Sequence, residues 1–183
     1  MFVHTLVTFI KKLNLSSFKS IFFIFIFAFV IRILFLSTAP FSFHVDEVIS
    51  GYIGRFILLN GKDVYGNTFP LFYFDSFGDF RTILPMYING LSTFLFGVNE
   101  FAVRFPTALA GALIVFPVYS LGNIFFKNKK IALLPALLIT ILPWHIVLSR
   151  ASSEAAFGLT IFVFGITLFL KSLSIKKLKT AFK

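Results

Sequence analysis

The chain contains no cysteine, and only 7 of its 183 residues are acidic. The lack of cysteine excludes a disulfide framework and any metal site with cysteine ligands. Charged residues make up only 13% of the chain, whereas 58% are hydrophobic and 29 are phenylalanine. Soluble domains are usually about half apolar, so this composition excludes an ordinary soluble domain. With a mean hydropathy of +0.94, the sequence predicts an integral membrane protein.

The positive charge is distributed as in a membrane protein. The net charge of +10 comes largely from lysines in three clusters beside apolar runs: Lys11, Lys12 and Lys19; Lys127, Lys129 and Lys130; and Lys171, Lys176, Lys177, Lys179 and Lys183. All the acidic residues lie between these clusters. Cytoplasmic loops carry the excess of lysine and arginine. We therefore expect the lysine clusters inside, the acidic segments outside, and no nucleic-acid partner.

Four apolar runs approach the roughly 20 residues that a helix needs to cross a bilayer. They predict an all-α, multi-pass protein of the cell (plasma) membrane, a helical bundle with amphipathic juxtamembrane helices in its first external loop. The expected segments are a cytoplasmic N-terminus over 1–19, transmembrane helices over 20–39, 105–126, 131–148 and 155–170, an external loop over 40–104, and a cytoplasmic basic tail over 171–183.

Two helices are expected inside the external loop. Apolar residues recur at helical spacing from Val45 to Phe56, and Asn60-Gly61 is typical of a helix end. This pattern predicts an amphipathic helix along the membrane surface. A second apolar stretch over 82–96 is short for a span, and its crossing would move the Lys127 cluster outside. We expect an interfacial or half-inserted helix there.

Polar side chains are predicted to gather at the external face. They are Asp46 and Glu47 after the first span, Asp79 and Arg81 in the loop, and His145, Arg150 and Glu154 near later helix ends, with Arg32 inside the first span. A carboxylate can take the proton of an attacking hydroxyl, and arginine or histidine can stabilise a departing phosphate. Structural roles stay open for several of them. Asp46 would serve as a helix N-cap, His145 as an interfacial residue, and Arg32 and Arg150 as headgroup anchors.

The order of these features resembles the large membrane glycosyltransferases of the GT-C fold. The resemblance is closest to the branch of protein O-mannosyltransferases and bacterial aminoarabinose-type transferases, and it covers almost all of residues 20–170. It rests on Arg32, Asp46-Glu47, Leu84-Pro85-Met86-Tyr87, the segment 96–106 (Phe-Gly-Val-Asn-Glu-Phe-Ala-Val-Arg-Phe-Pro), Pro143-Trp144-His145, Ser149-Arg150 and Glu154. One departure is Arg81-Thr82-Ile83-Leu84-Pro85, where Lys-Pro-Pro is common in the family.

The resemblance implies transfer of a sugar from a polyprenyl-phosphate donor to a lipid, glycan or protein acceptor at the external or periplasmic face. The chain would then be the N-terminal module of a longer enzyme. Asp46 is the implied catalytic base. Neighbouring helical residues diverge by about 100°, so Glu47 is expected to support it by holding an arginine or a metal. Arg32, Asp79, Arg81, His145, Arg150 and Glu154 are the implied substrate-binding residues.

No cofactor is firmly expected, although a divalent metal stays open, and membrane lipids are expected partners. Two other classes of function also stay open. One is a non-catalytic membrane scaffold, including a degenerate transferase remnant. The other is a transporter subunit, which is less favoured because only Arg32 lies inside a span, whereas transport paths carry ionisable groups within the membrane.

Overall fold

The computed structural model describes residues 17–76 and 78–181, so nearly all of the predicted N-terminal segment 1–19 lies outside it. The described part is mostly helical, as the composition predicts. The elements in chain order are α1 (Ser17–Ile33), α2 (Val45–Asn60), β1 (Tyr73–Ser76), β2 (Asp79–Thr82), α3 (Ile83–Phe96), α4 (Glu100–Leu113), α5 (Val115–Phe126), α6 (Leu133–Ile141), α7 (Pro143–Arg150) and α8 (Glu154–Ala181).

Two stretches of the described chain are long and apolar enough to cross a membrane. They are Glu100–Phe126, which joins α4 and α5 over 27 residues, and Glu154–Leu173, which is 20 residues of α8. The pair α6 and α7 passes the same test only if taken as one broken span, because the two helices are bent by 60°. These apolar helices agree with a membrane protein.

The first helix ends earlier than the predicted boundary at residue 39. It stops at Ile33, and the chain then turns through Phe35, whose φ is 56°, to a cis peptide between Ala39 and Pro40. Arg32 therefore lies in the last turn of α1 and not within a longer span. A side chain from α7 hydrogen-bonds to carbonyl groups at this helix end, and one from α4 hydrogen-bonds to carbonyl groups of the loop that follows, as described below.

The second predicted span begins earlier than residue 105, at Glu100. Asn99 caps this helix, since its side-chain oxygen accepts a hydrogen bond from the amide of Ala102 at 2.9 Å. Glu100 lies in the first turn, where a negative charge is favourable beside the helix dipole. Arg104 is consequently a fully buried helical residue, although its charge suggested a loop.

Later helices also depart from the predicted bounds. The expected span over 131–148 is broken between Ile141 and Pro143. Proline has no amide hydrogen, so Pro143 cannot bond to the carbonyl of Ile139 and the helix cannot continue straight. Helix α8 runs on to Ala181, so the described part of the predicted basic tail is helical.

The helix α2 begins at Val45, where the apolar pattern predicts it, and ends at Asn60. Gly61 has a φ of 69°, and its amide donates to the carbonyl of Ile57 at 2.8 Å, which is a typical glycine C-cap. His44 is the N-cap, and Asp46 lies in the first turn. The apolar Val45, Val48 and Tyr52 are exposed, whereas the packed face consists of Glu47, Gly51, Ile53, Gly54 and Ile57. This exposed apolar face is the one expected to contact the membrane.

Two apolar clusters form the core. One joins α1 with α4, α5 and α6 through Ile21, Ala28, Ala112, Val115 and Ala136. The other lies between α2, α3 and β1, around Ile53, Ile57, Phe74, Ile83 and Met86. The second cluster packs α2, α3 and β1 against one another.

A β-hairpin, which the sequence did not predict, precedes α3. Strands β1 and β2 are antiparallel, with Asp75 opposite Phe80 and Phe74 opposite Arg81. Phe74 is 3% exposed within the second core cluster and so anchors the hairpin. The hairpin thereby carries Arg81 to the start of α2.

Glycines allow α2 and α3 to cross at backbone contact. A Cβ on Gly54 would overlap the carbonyl oxygen of Met86 and lie 3.0 Å from the amide nitrogen of Gly90. Overpacking of this kind typically costs about 1–3 kcal/mol. We expect Gly54→Ala to lower the thermal unfolding temperature in detergent, measured by circular dichroism. The control is Gly158→Ala, because no atom lies within 4 Å of a Cβ built at Gly158; equal destabilisation by both would contradict the crossing.

Candidate functional site

An open cavity of about 570 Å³ lies where the loop after α1, the start of α2, β2 and the segment before α8 meet. It brings together Asp46, Glu47, Asp79, Arg81 and Glu154, which are five of the residues singled out from the sequence. The wall also contains Pro40, Phe41, Ser42, His44, Ser50, Phe80, Met86, Ala151, Ser152, Ser153 and Ala155. Carboxylates and one guanidinium therefore share a space large enough for a sugar and a phosphate.

Asp46 is the accessible acid of the pair. Its side chain is 50% exposed, and its Oδ1 lies 2.9 Å from Nη2 of Arg81. The helix starts at Val45 with His44 as its cap, which leaves the Asp46 carboxylate free of capping. The carboxylate can thus accept a proton from a ligand in the cavity.

Arg81 is shared between two carboxylates. Its Nη2 lies 2.8 Å from Oδ2 of Asp79 as well as 2.9 Å from Asp46. Burial alone would lower the pKa of Arg81, but the hydrogen bond and charge of Asp46, followed by the charges of Asp79 and Glu154, outweigh it and raise the pKa. Arg81 therefore remains a cation. A guanidinium group can donate hydrogen bonds to phosphate as well as to carboxylate oxygens.

Glu47 is buried and held by an arginine. It is 3% exposed and Arg104 is 0% exposed. The two side chains form a bidentate pair, with Arg104 Nε donating to Oε1 at 2.9 Å and Nη2 donating to Oε2 at 3.0 Å. Glu47 Oε2 also accepts from the amide of His44 at 3.1 Å. One acid of the pair is therefore exposed to the cavity, whereas its neighbour is buried and holds an arginine.

Arg104 was not among the residues singled out from the sequence. Besides Glu47, its guanidinium donates to the carbonyl oxygens of Leu36, Pro40 and Ser42, at 3.1, 3.2 and 2.8 Å. It therefore ties the loop after α1 to the start of α2. The available signal was its place in the segment 96–106, on which the family resemblance mainly rests.

Arg32 belongs to a separate, buried cluster. It is 0% exposed, and its Nη2 lies 2.9 Å from Nδ1 of His145, which is also 0% exposed. Its Nε donates to Ser149 Oγ at 3.1 Å, and its other bonds go to the carbonyls of Ala28, Ile139 and Thr140. The Ile139 carbonyl is the one that Pro143 leaves without a helical donor. Arg32 thus stabilises the helix break, and its buried guanidinium is not part of the cavity wall.

Arg150 likewise bonds to the backbone. Its guanidinium donates to the carbonyls of Ile31 at 2.7 Å and Ala39 at 2.8 Å, with longer bonds to Arg32 and Phe35. The bonds to Ile31 and Arg32 satisfy carbonyl groups at the end of α1, and those to Phe35 and Ala39 hold the loop that follows. The eight residues therefore divide into five that line the cavity and three, Arg32, His145 and Arg150, that fix the helices around it.

Possible metal ligands are few. Within residues 17–76 and 78–181, no group of three or more His, Asp or Glu side chains is placed to hold a metal ion. Both oxygens of Glu47 are bonded to Arg104. Of the two roles expected for Glu47, the structure shows the contact with an arginine.

Residues 81–181 match the family model described as dolichyl-phosphate-mannose-protein mannosyltransferase. The matched segment includes Arg81, Arg104 and Glu154, and it begins after Asp46 and Glu47. No solved structure matches the chain.

Two curated relatives are both described as transferring an aminoarabinose. Undecaprenyl phosphate-alpha-4-amino-4-deoxy-L-arabinose arabinosyl transferase 2 of Proteus mirabilis is 26% identical over 110 residues, which cover 60% of this chain and 19% of that protein. The corresponding transferase of Erwinia tasmaniensis is 34% identical over 91 residues, which cover 50% of this chain and 16% of that protein. The chain thus spans less than a fifth of the length of these relatives.

Proposed function

The chain belongs to the dolichyl-phosphate-mannose-protein mannosyltransferase family, and from this premise we propose that it forms the N-terminal, GT-C-like module of a membrane glycosyltransferase. The reaction moves a sugar from a polyprenyl-phosphate donor to a hydroxyl group of a lipid, glycan or protein. The observation that carries the proposal is the cavity in which the half-exposed Asp46 carboxylate faces the Arg81 cation at 2.9 Å.

The proposed step is a displacement at the anomeric carbon of the donor sugar. The acceptor oxygen attacks this carbon, and the bond from the carbon to the phosphate oxygen breaks with its electron pair leaving on the phosphate. Asp46 accepts the proton of the attacking hydroxyl. Arg81 donates to the phosphate oxygens as their charge grows. The products are the glycoside with inverted configuration, polyprenyl phosphate and a protonated Asp46.

The surrounding residues hold this arrangement in place. Glu47 and Arg104 fix the start of α2 and hence the position of Asp46. Arg32, His145 and Arg150 are assigned to positioning, because they hold the end of α1 and the break before α7, and both lead into the cavity wall. Asp79 and Glu154 remain candidates for contacts with sugar hydroxyl groups, since both line the cavity.

The lysine distribution supports an external site in a multi-pass protein. The span of α4 and α5 begins beside the Glu47 and Arg104 pair and ends next to Lys127. The helix α8 begins at Glu154, in the cavity wall, and passes Lys171 on its way to Ala181. Both therefore lead from the cavity to a lysine cluster, and the positive-inside rule puts those clusters in the cytoplasm and the cavity outside.

The test uses the full-length protein in membrane vesicles with two radiolabelled donors, dolichyl-phosphate mannose and undecaprenyl-phosphate 4-amino-4-deoxy-L-arabinose. We expect one of the two labels to pass from the lipid donor to an acceptor fraction, measured by chromatography. Vesicles without the protein are the control. Retention of both labels on their lipid donors would contradict the proposal.

A further inference from the structure

A buried asparagine links three parts of the cavity wall. Asn89 of α3 is 0% exposed, and its Nδ2 donates to Ser50 Oγ of α2 at 2.8 Å and to Ser152 Oγ, before α8, at 2.9 Å. Both serines line the cavity. Asn89 itself is not part of the wall, so it acts on the cavity through the two hydroxyl groups.

The hydrogen-bond directions determine which hydroxyl proton is free. Ser152 Oγ donates its one proton to the carbonyl of Val103 at 3.2 Å, so it can only accept from Asn89. The amide nitrogen of Asn89 must therefore face the serines, and Ser50 accepts its second proton. Within the described chain, the hydroxyl proton of Ser50 makes no hydrogen bond. Ser50 thus has a fixed oxygen and a proton available to a ligand.

Ser50 lies one helical turn after Asp46, on the same face of α2, about 6 Å along the axis. A carboxylate that accepts a proton and a hydroxyl that donates one are thereby spaced along a single rigid helix. The cavity carboxylates suit the hydroxyl groups of a sugar, whereas phosphate oxygens need hydrogen-bond donors. The Arg81 guanidinium is one such donor at the cavity wall, and the Ser50 hydroxyl is a second.

We propose that the Ser50 hydroxyl binds a phosphate oxygen of the polyprenyl-phosphate donor, and that Asn89 is the positioning residue that orients this hydroxyl. The proposal rests on the function proposed above. It places the phosphate beside Ser50, in the part of the cavity that lies one helical turn along α2 from Asp46.

The test measures binding of radiolabelled undecaprenyl phosphate and of undecaprenol to the full-length protein in detergent. Hydrogen bonds to charged groups are worth about 1.5–3 kcal/mol. We therefore expect Ser50→Ala to weaken the binding of undecaprenyl phosphate by about tenfold or more, with undecaprenol binding unchanged. Ser50→Thr should keep most of the affinity because it keeps the hydroxyl. Asn89→Ala should reduce the preference for the phosphate less strongly, since the Ser50 hydroxyl then rotates freely.

Ser92→Ala is the matched control. Ser92 lies on α3 close to Asn89, is 5% exposed, and has a hydroxyl with no hydrogen-bond partner. The Ser92→Ala variant should bind undecaprenyl phosphate and undecaprenol as the wild type does. If the wild type binds undecaprenyl phosphate and Ser50→Ala binds it equally well, the assignment of Ser50 is overturned while the proposed function stands. Equal losses for undecaprenol and undecaprenyl phosphate would show a structural role and overturn it as well, whereas a wild type that binds no undecaprenyl phosphate would overturn the proposed function too.

Discussion

Asp46→Asn is expected to lower sugar transfer by about a hundredfold to ten-thousandfold, which is the usual contribution of a general base. The asparagine keeps the shape of the side chain and its contact with Arg81, but it cannot accept the proton of the attacking hydroxyl. Because the Asp46 side chain is 50% exposed, the protein should remain folded. The measurement is the rate at which labelled sugar leaves a saturating polyprenyl-phosphate donor, compared between Asp46→Asn and the wild type.

Asp75→Asn is the matched control for this prediction. Asp75 lies in strand β1 and outside the cavity wall, and its Oδ1 accepts a hydrogen bond from the amide of Gly78 at 2.7 Å in the hairpin turn. Asparagine can keep that bond, so transfer should be unchanged. If Asp46→Asn kept near-normal transfer, and Glu47→Gln abolished it in protein that circular dichroism shows to be folded, the roles of the two acids would be reversed. If both variants kept normal transfer, the catalytic interpretation would be wrong.

Local signals in the sequence were enough to predict α2 and the acids at its start. The apolar spacing from Val45 to Phe56 and the Asn60-Gly61 stop depend only on neighbouring residues, and the structure shows the helix Val45–Asn60 with Gly61 as its C-cap. Asp46 and Glu47 were singled out as adjacent acids that follow the first span, and their proposed roles came from the family resemblance. That the chain is a membrane protein could also be predicted, because this depends on amino-acid composition.

Features set by distant contacts could not be predicted in this way. The pairing of Arg104 with Glu47 joins residues 57 positions apart. The sequence predicted that Glu47 would hold an arginine or a metal, but nothing local in it identified Arg104 as that arginine. Arg32 suggested a headgroup anchor for the same reason, because its partner His145 lies 113 positions away. The hairpin was missed because strands as short as Tyr73–Ser76 and Asp79–Thr82 carry little periodic signal, and burial of Phe74 stabilises them.

The buried Glu47 and Arg104 pair should be the most costly contact to break from one side. Removing one partner leaves an uncompensated charge in the protein interior, which typically costs about 3–5 kcal/mol. We expect Glu47→Gln and Arg104→Met each to lower the free energy of unfolding by about this amount, measured by denaturant titration in mixed micelles. Arg104→Lys should also destabilise the protein, because an ammonium group cannot donate to both carboxylate oxygens and three carbonyls at once.

The double variant Glu47→Gln with Arg104→Met separates this pair from simple loss of packing. It removes both charges together, so it should cost clearly less than the sum of the two single changes. Glu100→Gln is the matched control, because Glu100 also lies near Arg104, at 3.6 Å, but its side chain is 37% exposed. Exposed ion pairs are worth about 0–1 kcal/mol, so this change should have little effect. Additive single effects, or a Glu100→Gln cost equal to that of Glu47→Gln, would show that the buried pair does not hold the start of α2.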